Sequence, residues 1–70
     1  MMPLTLANHG EENIIRKVGG NNEVKQHLGD LGFVAGASVI VVSEMGGNII
    51  VNVKESRVAL NKDLAAKIMI

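Results

Sequence analysis

The chain has 70 residues, with seven Lys and Arg against seven Asp and Glu, no Cys, Trp or Tyr, and one aromatic side chain, Phe33. Hydrophobic residues make up 47% of the sequence, almost all of them aliphatic. This composition allows one small core that buries about 60% of the unfolded surface. It excludes a disulfide scaffold, a thiolate metal site and a base-stacking surface. Zero net charge also argues against nucleic-acid binding.

No segment resembles a membrane anchor or a secretory signal. The longest apolar run without glycine, 39–42, is far shorter than the ~20 residues of a membrane helix. Residues 1–6 lack the basic stretch and apolar core of a signal peptide. We therefore expect a single domain over 1–70, located in the cytoplasm, with no direct insertion into a membrane.

Glycines divide the chain into short elements. Gly10 is expected to turn the chain ahead of a first strand over 13–18 (NIIRKV), which the pair Gly19-Gly20 ends. Since the glycines stand between runs of apolar residues, the sequence is typical of short elements joined by tight turns.

One helix of about ten residues is predicted to begin after Asn21, because Asn is a favoured N-cap and Glu23 suits the positive end of the helix dipole. Val24, Leu28 and Leu31 follow at i, i+4 and i+7 and form one apolar stripe.

The end of this helix has its own signal. Gly32 is the residue type that adopts the left-handed conformation after a helix. The following Phe33 is then expected to pack against Leu28 and fix the exit of the chain. Gly36 is expected to supply a positive φ in the next turn. Gly32, Phe33 and Gly36 are therefore predicted to set the fold.

The second half of the chain predicts strands. Gly46-Gly47 is a hairpin signal between two segments rich in β-branched residues, and Asn61 can cap a short helical turn. The predicted elements are strands over 38–45, 48–54 and 57–60, a helical turn over 62–66 and an apolar closing strand over 68–70. We expect a mainly β protein, a small barrel of about five strands with one inserted α-helix.

Segment 39–42 (VIVV) is apolar on both faces of its predicted strand, whereas a half-exposed strand alternates. One face is expected to fill the core. The apolar stripe of the helix is the favoured cover for the other face, and the chain ends or another protein are the alternatives.

Candidate metal ligands are few. His9, Glu11 and Glu12 are close in sequence, and His27 and Asp30 lie one turn apart on the predicted helix. A solvated loop and an ordinary polar helix face are the favoured interpretations. No serine stands in a nucleophile motif, so we expect a binding protein, not an enzyme.

Segment 28–33 (LGDLGF), followed by Gly36 and the apolar run 39–42, resembles the L-x-x-L-G-h-x-x-G-x-x-h pattern of the FeoA family, where h is hydrophobic. The opening and closing segments extend the resemblance over essentially the whole chain. It implies an SH3-like barrel and a role in bacterial ferrous iron uptake. The implied partner is FeoB, a membrane Fe(II) transporter with a cytosolic G-protein domain.

The resemblance supplies no catalytic residues. We predict that a partner binds the helix and its exit, and the candidate residues are Val24, His27, Leu28, Leu31 and Phe33. Leu28 has two open roles, because it could lock the helix to the core or anchor the partner.

The alternative function is a metal-responsive regulatory module, by likeness to the C-terminal domain of DtxR-type repressors. No cofactor is expected, although weak binding of Fe(II) or another divalent ion stays open. An apolar strand edge is compatible with a monomer or a weak dimer.

Overall fold

The computed structural model describes all 70 residues, and it confirms a mainly β fold with one inserted helix. In chain order the elements are a 3₁₀ turn (Leu4–Leu6), β1 (Glu12–Ile14), β2 (Lys17–Val18), α1 (Asn22–Asp30), β3 (Ser38–Met45), β4 (Asn48–Val53), β5 (Ser56–Asn61), α2 (Lys62–Ala65) and β6 (Ile68–Met69). One antiparallel sheet has the order β1-β3-β4-β5, and β2 pairs with β6 in a second sheet.

The predicted single strand over 13–18 is two short strands in different sheets, β1 and β2. The chain crosses between the sheets at Ile15 and Arg16. The Ile15 N–H donates to the Ala37 carbonyl (2.9 Å), whereas the Arg16 N–H donates to the Met69 carbonyl (2.8 Å). This crossing explains why six strands replace the five or so that the sequence predicts.

The hairpin between β3 and β4 turns at Gly46 and Gly47, which have φ of 57° and 85° as the sequence predicts. The next turn falls one residue earlier than predicted. It uses Lys54 and Glu55, which adopt left-handed φ of 47° and 64°. As a result β4 ends at Val53, and β5 is two residues longer than the predicted strand over 57–60.

Asparagine caps both helices, as predicted. The side-chain oxygen of Asn21 accepts from the Val24 N–H at 2.8 Å, and that of Asn61 accepts from the Leu64 N–H at 2.8 Å. Each bond satisfies a backbone donor that the first turn of a helix leaves free.

The exit of α1 is a Schellman motif. Gly32 has φ of 105°, its N–H donates to the Gly29 carbonyl (2.9 Å), and the Phe33 N–H donates to the Leu28 carbonyl (2.9 Å). Gly36 also has a positive φ, 91°, and its N–H donates to the Ile15 carbonyl (2.8 Å). These conformations support the fold-setting role predicted for both glycines.

A single cluster of 13 buried side chains joins the two sheets and the helices. Its members are Leu4, Ile15, Leu28, Phe33, Val39, Val41, Ile49, Val51, Val53, Leu60, Ala65, Ile68 and Ile70. Alternate residues of β4, namely Ile49, Val51 and Val53, point inward. The first and last segments of the chain also meet, because the backbones of Met2 and Ile70 exchange two hydrogen bonds (2.9 and 2.8 Å).

The prediction that the apolar stripe of α1 covers the second face of β3 is wrong. Val39 and Val41 are buried in the cluster, so Ile40 lies on the outer face and is only partly buried. Val24 and Leu31 of α1 pack against the cluster itself. Because the helix stripe is used on the inner side of the sheet, it cannot cover the outer side.

Gly32→Ala is expected to destabilise the protein by about 1–2 kcal/mol, because a left-handed φ strains an L side chain. An added Cβ would also lie 3.3 Å from Cδ of Lys54. The matched control is Gly29→Ala inside α1, where the nearest atom to an added Cβ is Cγ1 of Val34 at 3.8 Å. That change should stabilise by about 0.5–1 kcal/mol. Urea unfolding measures both, and equal effects would contradict the role of Gly32.

Candidate docking groove

Two of the five predicted docking residues are not on the surface. The Leu28 side chain is 0% exposed and Phe33 is 1% exposed, and both belong to the buried cluster. A side chain with no accessible surface cannot contact a partner, which corrects their assignment to a docking surface. The open question about Leu28 is thereby answered in favour of the core.

The other three predicted residues differ in exposure. His27 is exposed, while Val24 and Leu31 are partly buried against the core. Only Val24 and His27 line a depression on the surface. Leu31, the C-cap of α1, is not part of that depression.

An open groove of about 440 Å³ runs between the two helices. We call it the helix groove, and it is lined by Glu23, Val24, Gln26, His27 and Asp30 of α1 and by Leu64 of α2. Its apolar residues are Val24 and Leu64, which both pack against the core. Its remaining side chains are exposed and polar. The groove therefore combines an apolar floor with a polar rim.

Leu64 is the lining residue that sequence reasoning missed. It lies in the short helical turn that Asn61 was predicted to cap, so its local conformation was readable. Its position beside α1 was not, because 40 residues separate it from Val24. No periodicity within one element indicates such a pairing.

The position of α2 depends on contacts at both of its ends. Ala65 is fully buried in the cluster, and Lys62, the first residue of α2, forms an ion pair with Glu44 of β3. A bulge between Val41 and Ser43 shifts the alternation of β3, so that Glu44 lies opposite the buried Ile49. The bulge therefore turns Glu44 toward the side of the sheet that carries α2.

The ion pair changes the acidity of Glu44. A hydrogen bond from Lys62, together with the positive charge of Lys62, lowers the pKa of the Glu44 carboxyl below its ordinary value. Partial desolvation raises this pKa and so opposes the change, whereas the electrostatic interaction with His9 lowers it further. Both partners of the pair remain substantially exposed, so the interaction is screened by water and salt.

The rim of the helix groove is acidic. Glu23 and Asp30 contribute two carboxylates, and no Lys or Arg lines the groove. The only ion pair in the chain joins Glu44 to Lys62, so neither rim carboxylate has a cationic partner.

Of the candidate metal ligands, only His27 and Asp30 line the same groove. No group of three or more His, Asp or Glu side chains is arranged to hold one ion. His9, Glu11, Glu12, His27 and Asp30 thus include no preformed three-ligand site.

The architecture defines the class. A four-stranded sheet completed by a two-stranded one around a single core, with a helix inserted between β2 and β3, is a small SH3-like barrel. Neither helix is long and apolar enough to cross a membrane.

The family model of the FeoA domain matches residues 2–70, and the chain belongs to the FeoA family. A protein of Methanocaldococcus jannaschii named Fe(2+) transport protein A is 34% identical over 70 residues, which are the whole of this chain and 85% of the relative. This membership confirms the resemblance found in the sequence and relates the chain to ferrous iron transport.

Solved structures agree with the family. A crystal structure of FeoA, described as an iron uptake regulatory protein, superposes with a TM-score of 0.88 at 32% identity, covering 97% of this chain and 90% of the other. FeoA of Stenotrophomonas maltophilia, solved with zinc and described as an SH3 domain protein, gives a TM-score of 0.85 at 25% identity, covering 99% and 88%.

Leu28→Ala should reduce the free energy of unfolding by about 2–5 kcal/mol, because it leaves a cavity in a packed core. His27→Ala is the matched control on the same helix and should change stability by less than about 0.5 kcal/mol, since His27 is exposed. Urea unfolding of both variants tests the assignment. Similar losses in the two variants would contradict it.

Glu44→Gln is expected to remove part of the pH dependence of stability. A lowered folded-state pKa contributes stability that is fully present above about 4.5, the ordinary value, and is lost as the pH falls through the folded-state pKa. The melting temperatures of parent and variant should therefore differ at pH 7 and converge toward pH 3. A constant difference over this range would show that the carboxylate charge is not responsible.

Proposed function

We propose that the protein is a non-enzymatic accessory factor of ferrous iron uptake in the cytoplasm. It acts by docking onto the cytosolic part of a FeoB-type membrane transporter, with the helix groove as its contact surface. The observation that carries this proposal is an apolar floor, Val24 and Leu64, that stays accessible on a domain of the FeoA family.

The shape of the groove supports a macromolecular partner. It is an open depression formed by one side of α1 and by Leu64 of α2. An open groove beside a helix accepts the apolar side chains of another protein segment. Small molecules are more often held in concave sites that bury most of their surface.

The rigidity of the groove supports the same interpretation. α1 is fixed at its start by the Asn21 cap and at its end by the Schellman motif at Gly32. α2 is fixed by the Asn61 cap and by the burial of Ala65. A surface that is ordered before binding loses less conformational entropy when a partner docks.

The alternative, a metal-responsive regulatory module, stays a prediction. A binding site for Fe(II) would have to assemble from side chains that the structure does not group in threes. The docking proposal is preferred because its surface already exists in the isolated chain.

The double variant Val24→Ala/Leu64→Ala should weaken binding to the cognate transporter by about tenfold, because it removes the apolar floor. The matched control is Ile14→Ala, which truncates an apolar side chain that is 51% exposed and lies outside the groove. Calorimetric titration of the detergent-solubilised transporter with each folded variant gives the affinities.

Two results would contradict the proposal. Either the parent protein does not bind the folded transporter, or the control loses as much affinity as the double variant. Circular dichroism should accompany the titrations, because both floor residues also pack against the core.

A further inference from the structure

The helix groove carries more information than its apolar floor. Its two carboxylates, Glu23 and Asp30, are both exposed and lie near opposite ends of α1. Seven residues of helix separate them, which corresponds to about 10 Å along the axis. His27 and Val24 lie between them in sequence, so the apolar floor begins between two negative charges.

Neither carboxylate has a side-chain partner within the chain, although Glu23 lies in the first turn of α1, where its charge suits the helix dipole. Neither forms an ion pair or a side-chain hydrogen bond, although the chain contains seven Lys and Arg. The net charge of the whole chain is zero, whereas the lining of the groove carries two acidic groups and no Lys or Arg. The lining of the groove therefore has an excess of acidic side chains, while the side chain of Lys67 also lies close to Val24.

We infer that the helix groove binds an amphipathic helix whose aliphatic face is flanked by Lys or Arg. This inference rests on the proposed function, since it names the chemistry of the partner segment at the same groove. The aliphatic residues contact Val24 and Leu64, and the cations approach Glu23 and Asp30. On a helix, residues at i and i+7 are separated by about 10 Å, which matches the spacing of the two carboxylates.

The charges disfavour a second copy of the chain as the occupant. Two molecules that met groove to groove would bring four carboxylates into one interface without a cation from the lining. Like charges placed opposite each other in an interface oppose association. A basic segment removes this repulsion and steers the encounter.

The test uses two synthetic helical peptides of about 15–20 residues with leucines at identical positions. One has lysines beside the leucines and the other has glutamates. NMR titration of the full chain should show shifts at Val24, His27 and Leu64. The lysine peptide should bind about 3- to 10-fold more tightly at low salt, and added salt should reduce the difference.

The variant Glu23→Gln/Asp30→Asn should abolish the preference, because it removes both charges and keeps the side-chain shapes. The matched control Glu12→Gln/Glu55→Gln removes two exposed charges outside the groove and should retain the preference for the lysine peptide. Equal binding of the two peptides by the parent would overturn the inference. Chemical-shift changes centred on the outer face of β3 would also overturn it. The same holds if the Glu23→Gln/Asp30→Asn variant still prefers the lysine peptide.

The two proposals fail in different ways. If the transporter binds the parent and the Glu23→Gln/Asp30→Asn variant equally, the charge inference fails and docking stands. If the lysine peptide binds in the groove but the folded transporter does not, the proposed function fails and the chemistry of the groove stands.

Discussion

The exit of α1 is the constraint on which the rest of the structure depends. The helix inserted into this small barrel returns its chain to the sheet within a few residues, and a left-handed residue after the helix reverses the backbone sharply. Gly32 provides this conformation, and the two Schellman hydrogen bonds place Phe33 in the core together with Leu28. The single aromatic side chain of the protein is thus used to fasten the helix.

The helix groove is a consequence of this attachment. With Leu28 committed to the core, the neighbouring turn of α1 leaves Val24 half-buried at the surface, where α2 supplies Leu64. The bulge in β3 contributes at a distance, because it turns Glu44 toward Lys62 at the start of α2. An accessible groove can therefore form from residues that also pack against the core.

Local chemistry was readable from the sequence where one residue type determines one conformation. The Asn caps, the Gly46-Gly47 hairpin and the exit at Gly32 are of this kind, and all three were predicted correctly. Predictions failed where distant segments decide. The strand predicted over 13–18 divides between two sheets because β3 and β6 compete for it, and the helix stripe faces the core instead of the outer side of β3.

The sequence by itself indicated the family, through its resemblance to the FeoA pattern, and it determined the helix caps and the turns at Gly32 and Gly46-Gly47, because one residue type fixes the backbone conformation at each of these places. Only the tertiary structure decided which apolar residues remain accessible. Leu28 and Val24 belong to one helical stripe and look equivalent in sequence, yet one is fully buried and the other lines the groove. The physical reason is that exposure depends on what packs against a residue, and Leu28 is covered by a cluster whose other members come from segments distant in the sequence.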